Sequence, residues 1–343
     1  MRAVVIHEHG DVDVLRLEEV PRPEPQPDEV LVRVQAVGLN HLDIWVRKGI
    51  PGVHYPLPII PGSEVAGVVE EVGAATRGIK AGDEVVLAPG LSCGRCHECF
   101  SGHEELCRFY GILGETRNGG CAEYVTIPYT SALPRPRNLT AAQAAAMPLV
   151  FLTAWHMLVS RAGLRIGEWV LIHAAGSGVG SAAIQIARLH HARIIATASS
   201  DEKLAKAREL GADEVINYRT GDWASEVRRL TGKRGVDVVF EHVGADTWEG
   251  SILSLAKGGR LVICGATSGH EVKVDLRRLF FKGLSLLGST MGSRAELIEV
   301  FAHATFGGLR PVIDRVLPLS EVREAHQLLE RREQFGKVVL SVP

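Results

Sequence analysis

The sequence predicts an α/β protein in which a β-rich, barrel-like first part precedes a doubly wound parallel sheet. Two observations support this prediction. Up to about residue 145 the chain is rich in Val, Gly and Pro, and its short strand-like segments end at Gly or Pro. Beyond that point, continuous apolar segments alternate with helix-forming segments, which is the order that a parallel sheet covered on both faces requires.

The strand candidates of the first part are MRAVVI, VLVRVQAVG, EVAGVVEEVG and DEVVLAPG. The N-terminal segment has the pattern of a strand and not of a signal peptide, because no apolar stretch follows Arg2. An extended connector is predicted by Pro21, Pro23, Pro25 and Pro27.

A helical segment, AAQAAAMPLVFLTAWHMLV, opens the second part. The strands predicted after it are EWVLIHAA, ARIIATAS, DEVINY, VDVVFEHV, RLVICGA and LSLLGST, with helices such as SAAIQIARLH and DEKLAKAREL between them. The helix RAELIEVFAHATFG and the strand GKVVLSV close the chain. We place the domains at 1–148 and 149–290, with 291–343 returning to the first domain.

Composition excludes several classes of function. The formal net charge of −2 provides no basic surface for a nucleic acid or an anionic membrane. No apolar run reaches about 18 residues, so no transmembrane helix is expected. The expected location is the cytoplasm.

Four of the six Cys lie close together in CGRCHECFSGHEELC. This spacing predicts that one loop, at about residues 90–110, supplies four thiolates to a structural zinc. Two disulfides are the alternative, which a chain without secretory features disfavours. The metal should order the loop without touching the substrate. The predicted ligands are Cys93, Cys96, Cys99 and Cys107.

The segment HAAGSGVGSAAIQIA joins the first strand of the alternating half to its helix. Such a joint lets a dinucleotide pyrophosphate approach the backbone and the helix N-terminus. The strict G-x-G-x-x-G pattern is not met, because Ala and Ser stand at two glycine positions, and a purely structural turn is the alternative. The repeating strand–helix context favours a cofactor site. Its predicted residues are Ala175, Ser177, Gly178, Val179 and Gly180.

The end of the next strand separates NAD from NADP, because an acidic residue there would bind the ribose 2′-hydroxyl and repel a 2′-phosphate. This chain has Ala198 at that position. Ser199 and Ser200 can donate hydrogen bonds to a phosphate, Lys203 adds charge, and Tyr218 ends the third strand on the same side. We therefore expect NADP(H) in preference to NAD(H). In the alternative interpretation the serines only cap the next helix.

Two further positions end strands on the cofactor side. Val243 and Gly265 are expected to approach the nicotinamide, because ligands of such sheets bind at the carboxyl ends of the strands.

Together these motifs resemble the medium-chain dehydrogenase/reductase superfamily, which includes zinc alcohol dehydrogenases and quinone reductases. The likeness spans essentially the whole chain and rests on GLNHLDIWVRKG, PLPIIPGSEVAGVV, the four-cysteine loop, AAGSGVG and GKVVL. It implies a GroES-like catalytic domain, a Rossmann domain, and an active site in the cleft between them. It also implies a homodimer or homotetramer.

The chain departs from this resemblance at the catalytic zinc, which alcohol dehydrogenases of the family bind with Cys, His and a second Cys. Asn40 and Ser63 stand at the first two positions, and Leu149 or Val150 at the third. These residues do not rebuild a soft or imidazole ligand set. Improvised ligands would have to come from His41, Asp43, Glu64 and His156.

Without that zinc, an alcohol lacks the Lewis acid that makes its alkoxide accessible. We therefore predict NAD(P)H-dependent reduction of a small quinone or α,β-unsaturated carbonyl. One alternative is an alcohol dehydrogenase with an atypical metal site, and another is a non-catalytic NADPH-binding sensor.

The predicted catalytic residues lie in GLNHLDIW and GSE. Asn40 is expected to donate a hydrogen bond to the substrate carbonyl, and Asp43 to orient it or contact the nicotinamide; purely structural roles are the alternatives. Ser63 and Glu64 are expected to line the cleft, with Glu64 a structural partner more than a base. Trp45 replaces the Tyr usual in quinone reductases and is either a cleft wall or a packed aromatic.

Overall fold

The computed structural model describes residues 1–343, which divide into two compact units. Unit 1 contains residues 1–150 and 293–343, and unit 2 contains residues 151–292. The predicted domain ends at 148 and 290 each lie two residues before these boundaries. No helix is both long and apolar enough to cross a membrane.

The N-terminal portion of unit 1 is rich in short strands. In chain order its elements are β1 (Arg2–Ile6), β2 (Leu15–Glu19), β3 (Glu29–Gly38), α1 (His41–Lys48), β4 (Glu64–Val72), β5 (Glu84–Leu87), β6 (Gly90–Leu91), α2 (His97–Phe100), β7 (Gly111–Ile112), β8 (Tyr124–Pro128), β9 (Ala132–Pro134), α3 (Ala141–Ala145) and α4 (Pro148–Trp155).

Unit 2 alternates strands with helices after a π-helical stretch, His156–Arg161, that follows α4. Its elements are β10 (Trp169–Ile172), α5 (Gly178–Leu189), β11 (Arg193–Ala198), α6 (Asp201–Leu210), β12 (Glu214–Asn217), α7 (Trp223–Leu230), β13 (Val236–Glu241), α8 (Ala245–Ser254), β14 (Leu255–Ile263), α9 (Leu276–Lys282) and β15 (Ser285–Gly288).

The chain then returns to unit 1. This last segment contains α10 (Arg294–Thr305), β16 (Ile313–Pro318), α11 (Val322–Arg331) and β17 (Lys337–Ser341).

The main sheet of unit 1 is organised around β3. The strand order is β16-β17-β3-β4-β5-β9, and β8 also pairs with β3. Alternating Val side chains of β3, at 30, 32 and 34, are buried in the core of this unit, which explains the period-two pattern of the sequence. The long central strand therefore fixes where its last residue, Gly38, lies between β4 and β17.

The sheet of unit 2 is parallel throughout, with the order β12-β11-β10-β13-β14-β15. This is the doubly wound order of dinucleotide-binding folds, and it confirms the predicted fold class. The strand order reverses between β10 and β13: β11 and β12 lie on one side of β10, and β13 to β15 lie on the other. The carboxyl ends of β10 and β13 therefore define the expected ligand edge. The strands are buried apolar segments, as in Leu171, Val239 and Phe240.

Candidate functional site

Strand register brings a polar cluster together at the end of β3 in unit 1. Gly38 pairs with Glu64 on β4 and with Val339 on β17. A Cβ atom on Gly38 would lie 2.2 Å from the carbonyl oxygen of Ala145 and 2.7 Å from the Glu64 carboxylate. Glycine is therefore required here by close approach, and the cluster packs tightly around it.

Glu64 is fully buried, and both of its carboxylate oxygens are occupied. Oε1 accepts hydrogen bonds from the backbone N–H groups of Leu149, at 2.6 Å, and Val150, at 3.3 Å, in the first turn of α4. Oε2 accepts from the amide of Asn40 at 3.1 Å and lies 2.6 Å from the ammonium of Lys337. This is the structural partnership that the sequence analysis favoured over a base.

Lys337 is the member of the cluster that the sequence analysis missed. Its side chain is buried, and its Nζ donates to Asn40 Oδ1 at 2.6 Å and to the carbonyl oxygen of Leu39. Because β17 runs antiparallel to β3, with Val339 opposite Gly38, Lys337 lies just beyond the end of β3. The segment GKVVL was predicted as a strand from its apolar residues, and no role was predicted for its Lys.

Asn40 uses its whole amide within the protein. Its Nδ2 donates to Glu64 at 3.1 Å and, more weakly, to the Gly38 carbonyl oxygen at 3.3 Å, while its Oδ1 accepts from Lys337. In the structure, therefore, no amide hydrogen of Asn40 is spare. In this arrangement Asn40 has a structural role, and it can donate to a substrate only when the long bond to Gly38 is exchanged.

Asp43 ties α1 to the loop before β4. Its carboxylate accepts from the N–H groups of Asn40, at 2.7 Å, and Gly62, at 2.9 Å. Burial raises the pKa of Asp43 from 3.8 to about 6, and the two N–H groups and the Lys337 charge offset this only in part. The side chain is wholly buried and its contacts are to the backbone, so a structural role fits. Its contact with the nicotinamide stays a prediction.

Ser63 and Trp45 occupy different settings. Ser63 is fully buried, and its hydroxyl has no hydrogen-bond partner. The expectation that Ser63 lines the cleft between the domains stays a prediction. Trp45 is half-buried on α1 and meets the ring of His41 edge-on, with centroids 5.1 Å apart.

At the position that the resemblance assigns to a catalytic zinc, the side chains are bound to one another. The only group of three or more Cys, His, Asp or Glu side chains arranged to share a metal is the cysteine set. At the end of β3 the available oxygens, Asn40 Oδ1 and Glu64 Oε2, already bind the Lys337 ammonium. None of His41, Asp43, Glu64 and His156 belongs to a metal-type group.

The cysteine loop of unit 1 fits a structural zinc. Its four sulfur atoms lie within 4.8 Å of one another, with separations of 3.5 Å (Cys96–Cys99), 3.8 Å (Cys96–Cys107) and 3.9 Å (Cys93–Cys99). A tetrahedron with zinc–sulfur distances of about 2.3 Å spaces its sulfurs by about 3.8 Å. The backbone N–H of Phe109 also donates to Cys107 Sγ at 3.4 Å. The donor set is therefore that of a closed zinc site.

The glycine turn of unit 2 joins β10 to α5 as predicted. Ser177 caps α5, because its hydroxyl accepts the N–H of Gly180 at 2.9 Å. A Cβ atom on Gly180 would lie 2.5 Å from the carbonyl oxygen of Ala174, so this glycine permits the close packing of helix on turn. Ala175 is fully buried, while Gly178 and Val179, in the first turn of α5, are half-buried.

At the end of β11 the structure separates the candidate 2′-phosphate residues. Ser200 caps α6 by accepting the N–H of Lys203 at 3.4 Å, which is the alternative that the sequence left open. Ser199 and Lys203 are half-buried, and Tyr218 is exposed. Ala198, at the acidic position of NAD-binding proteins, is buried and carries no charge.

Val243 and Gly265 lie just beyond the carboxyl ends of β13 and β14, where the nicotinamide side was predicted. Both are half-buried. The N–H of Val243 donates to the buried carboxylate of Glu241 at 2.7 Å. This edge therefore carries a polar anchor that the sequence analysis did not single out.

A nucleotide-binding parallel sheet, a β-rich unit and a four-thiolate loop together define a zinc-binding dehydrogenase of the two-domain type. Comparison with known families agrees: residues 26–137 match the alcohol dehydrogenase GroES-like domain, and residues 178–305 match the zinc-binding dehydrogenase domain. The chain belongs to the medium-chain dehydrogenase/reductase superfamily, in its zinc-type alcohol dehydrogenase-like branch. It is an oxidoreductase that uses a nicotinamide cofactor.

Individual relatives carry two kinds of name. The NAD-dependent alcohol dehydrogenase of Sulfolobus acidocaldarius is 35% identical over the full length of both chains. The quinone oxidoreductase of Rattus norvegicus is 31% identical over 99% of this chain and 97% of its own. A crystal structure of an NAD-dependent alcohol dehydrogenase superposes with a TM-score of 0.97, at 52% identity over both full chains.

Proposed function

We propose that this protein reduces small quinones or α,β-unsaturated carbonyls with NADPH, and that hydride transfer proceeds without a catalytic zinc. One observation carries the proposal: the buried ammonium of Lys337 binds Asn40 Oδ1 and Glu64 Oε2, the oxygens that a metal at this position would need. A cation fixed by the protein therefore stands where a second zinc would have to compete with it.

The chemistry that remains suits an activated acceptor. When bound, NADPH would supply the hydride for the β-carbon of an enone or for a quinone, and a proton would complete the saturated carbonyl or hydroquinone, with NADP⁺ as the other product. Negative charge develops on the acceptor oxygen during hydride transfer. A hydrogen-bond donor at that oxygen supplies the stabilisation needed.

Asn40 is our candidate for that donor. Its bond to the Gly38 carbonyl oxygen, at 3.3 Å, lies beyond the usual range for N–H···O bonds and is the weakest of its contacts. Lys337 holds the opposite end of the amide, which strengthens the Nδ2 hydrogens as donors. The substrate oxygen would replace Gly38 as acceptor while the bond to Glu64 keeps the amide oriented.

Support for NADPH comes from the end of β11. Ala198 offers no carboxylate that would repel a 2′-phosphate, and Ser199, Lys203 and Tyr218 follow on the same side. Since several relatives are named NAD-dependent, the two cofactors have to be compared directly. We also propose a homodimer formed through the edge strand β15.

The test is a screen of NADPH and NADH oxidation with quinones, enones and aldehydes, combined with metal analysis of the same sample. We expect one zinc per chain and turnover of quinones or enones. Asn40→Ala should lower kcat about 100-fold, the cost typical of removing one such donor. Asn138→Ala is the matched control, because the Asn138 amide donates to the Ala304 carbonyl oxygen at 2.9 Å and should affect stability alone.

Two outcomes would favour other functions. A second metal whose removal abolishes turnover, with the cysteine loop still loaded, would indicate an alcohol dehydrogenase with an atypical metal site. Tight NADPH binding without oxidation by any acceptor would indicate a sensor.

A further inference from the structure

Unit 2 contains a buried polar network at the carboxyl ends of β10, β11 and β13. Ile172 pairs with Ala196 and with Phe240, so His173, Thr197 and Glu241 are the next residues on these three strands. All three are buried. The network thus lies directly beside the glycine turn that follows His173.

Glu241 receives four hydrogen bonds. Oε1 accepts from the backbone N–H groups of Val243, at 2.7 Å, and Gly244, at 3.2 Å. Oε2 accepts from the hydroxyls of Ser251, at 2.8 Å, and Thr247, at 2.9 Å. A carboxylate surrounded only by donors is held in its ionised form. Burial raises the pKa of Glu241, but these hydrogen bonds to the ionised carboxylate help to hold it below its ordinary value.

The negative charge of Glu241 determines which group donates in the hydrogen bonds from Ser251 to His173 and from His173 to Thr197. Ser251 has one hydroxyl hydrogen, and Glu241 takes it. The contact of 3.0 Å between Ser251 Oγ and His173 Nε2 must therefore be donated by the imidazole. Burial lowers the pKa of His173 to about 4, so the ring is neutral at physiological pH. Its Nδ1 then accepts from the hydroxyl of Thr197 at 3.2 Å.

We propose that Glu241 is a positioning residue for the nicotinamide, acting through the turn at Val243 and Gly244 and through a one-way relay, Thr197 to His173 to Ser251 to Glu241. Gly244 has φ +99°, a conformation that few other residues adopt, and Glu241 holds the N–H of this residue and of the one before it. The inference rests on the proposed cofactor site, because the turn lies where the nicotinamide is expected.

Glu241→Gln gives this proposal a sharp signature. A glutamine amide accepts the two backbone N–H groups only if its NH2 faces Ser251 and Thr247. Ser251 must then accept from residue 241, and its hydrogen turns toward His173 Nε2. The proton of His173 moves to Nδ1. We expect this change of tautomer in the imidazole ¹⁵N spectrum, with the signals assigned by comparison with His173→Asn.

The functional readout is the nicotinamide itself. In Glu241→Gln the fluorescence of bound NADPH should change, and kcat should fall about tenfold because the ring is misplaced. Kd for NADPH should change less than twofold, because the pyrophosphate and adenosine are held elsewhere. The matched control is Glu168→Gln, whose carboxylate binds Arg260 at 2.6 Å at the opposite end of β10 and whose loss should lower stability alone.

Retention of the Nε2–H tautomer in Glu241→Gln, or unchanged fluorescence and kcat, would overturn the proposal. An effect of Glu168→Gln equal to that of Glu241→Gln would also overturn it, since general loosening of the sheet would then be sufficient. If the wild-type protein binds NADPH but reduces no acceptor, the proposed function fails, while the tautomer and fluorescence still decide this inference.

Discussion

Lys337 determines the charge balance at the end of β3, where it binds the Glu64 carboxylate and the Asn40 amide. Lys337→Met would leave the Glu64 charge buried with backbone and amide donors alone. We expect a loss of about 3–5 kcal/mol in the free energy of unfolding, the usual cost of breaking a buried ion pair. Chemical denaturation measures it directly.

The control for this variant is Lys282→Met. Lys282 also donates to a backbone carbonyl oxygen, that of Leu255, at 2.7 Å, but it has no buried carboxylate partner. Its replacement should cost about 1 kcal/mol. Equal losses in the two variants would show that the ion pair with Glu64 adds nothing to stability.

Asp43 makes stability depend on pH. Its pKa is about 6 in the folded protein, whereas the ordinary value for an Asp is 3.8, so folding disfavours the charged form. The contribution of Asp43 is complete below about pH 4 and is lost as the pH rises through 6. A difference of about two pKa units corresponds to about 3 kcal/mol.

The measurement compares wild type with Asp43→Asn in denaturation at several pH values. The free energy of unfolding of wild type, minus that of the variant, should fall by about 3 kcal/mol between pH 4 and pH 7. A difference that stays constant over this range would mean that Asp43 does not titrate there.

Sequence reasoning identified most of this cluster but not its organisation. Asn40, Asp43 and Glu64 were recognisable because they lie in motifs of adjacent residues. Lys337 was not, because its contact with Asn40 depends on the antiparallel register of β17 on β3, which joins opposite ends of the chain. Local patterns do not specify such a register, so the occupied state of the Asn40 amide was not foreseeable either.

At the scale of elements, the helices show where the periodicity of apolar residues predicts a helix correctly and where it does not. α6 covers Asp201–Leu210, the segment predicted as the helix DEKLAKAREL, and Gly211 follows it in the left-handed conformation. α1 was not predicted as a helix, because its buried face includes Asp43 and Arg47 and so lacks an apolar period. The segment predicted as one helix after residue 140 is interrupted, because Pro148 starts a new helix, α4.

The cysteine loop is an element that its metal should hold together. Cys99→Ser removes one of four thiolates, so we expect the zinc content to fall well below one per chain and the Tm to drop. His97→Ala is the control: His97 is an exposed side chain within the same loop, and its loss should leave zinc bound. Metal analysis and thermal unfolding of both variants test this. Full zinc content in Cys99→Ser would contradict the four-thiolate site.

Helix α6 provides the test of cofactor preference. Lys203→Gln removes the first positive charge after β11, and we expect the KM for NADPH to rise about tenfold, equivalent to about 1.4 kcal/mol, with little change for NADH. Lys206→Gln is the matched control, because Lys206 pairs with Glu202 at 2.8 Å one turn further along. Steady-state kinetics give the KM for both cofactors in both variants. Equal changes in the KM for NADPH and NADH would show that Lys203 does not contact a 2′-phosphate.

At the scale of the whole molecule, the fold class was predictable because the alternation of strands and helices in unit 2 is continuous in sequence. Unit 1 is not continuous. Residues 293–343 complete it, and β17 supplies both a neighbour for β3 and the Lys337 ammonium. The candidate site of unit 1 therefore requires both ends of the chain, which a reading of adjacent motifs does not reveal.

Assembly is the remaining property of the whole molecule, and we propose that β15 forms the interface between two copies of the chain. This strand is at the edge of the unit 2 sheet and pairs only with β14, so its outer backbone groups can pair with a second copy. On the preceding helix, α9, Phe281 is 75% exposed beside Phe280 and Leu276, which are also exposed. Exposed aromatic side chains next to an open sheet edge are typical of an interface between protein chains.

We expect wild type to be at least a dimer and Phe281→Glu to shift it toward the monomer, because a buried unpaired charge is costly in an interface. Phe306→Glu is the matched control, since Phe306 is 88% exposed and belongs to unit 1, whereas β15 belongs to unit 2. Light scattering after size-exclusion chromatography gives the mass of each species. A monomeric wild type would contradict the proposed assembly. Dissociation by Phe306→Glu and not by Phe281→Glu would show that the interface is not formed by α9 and β15.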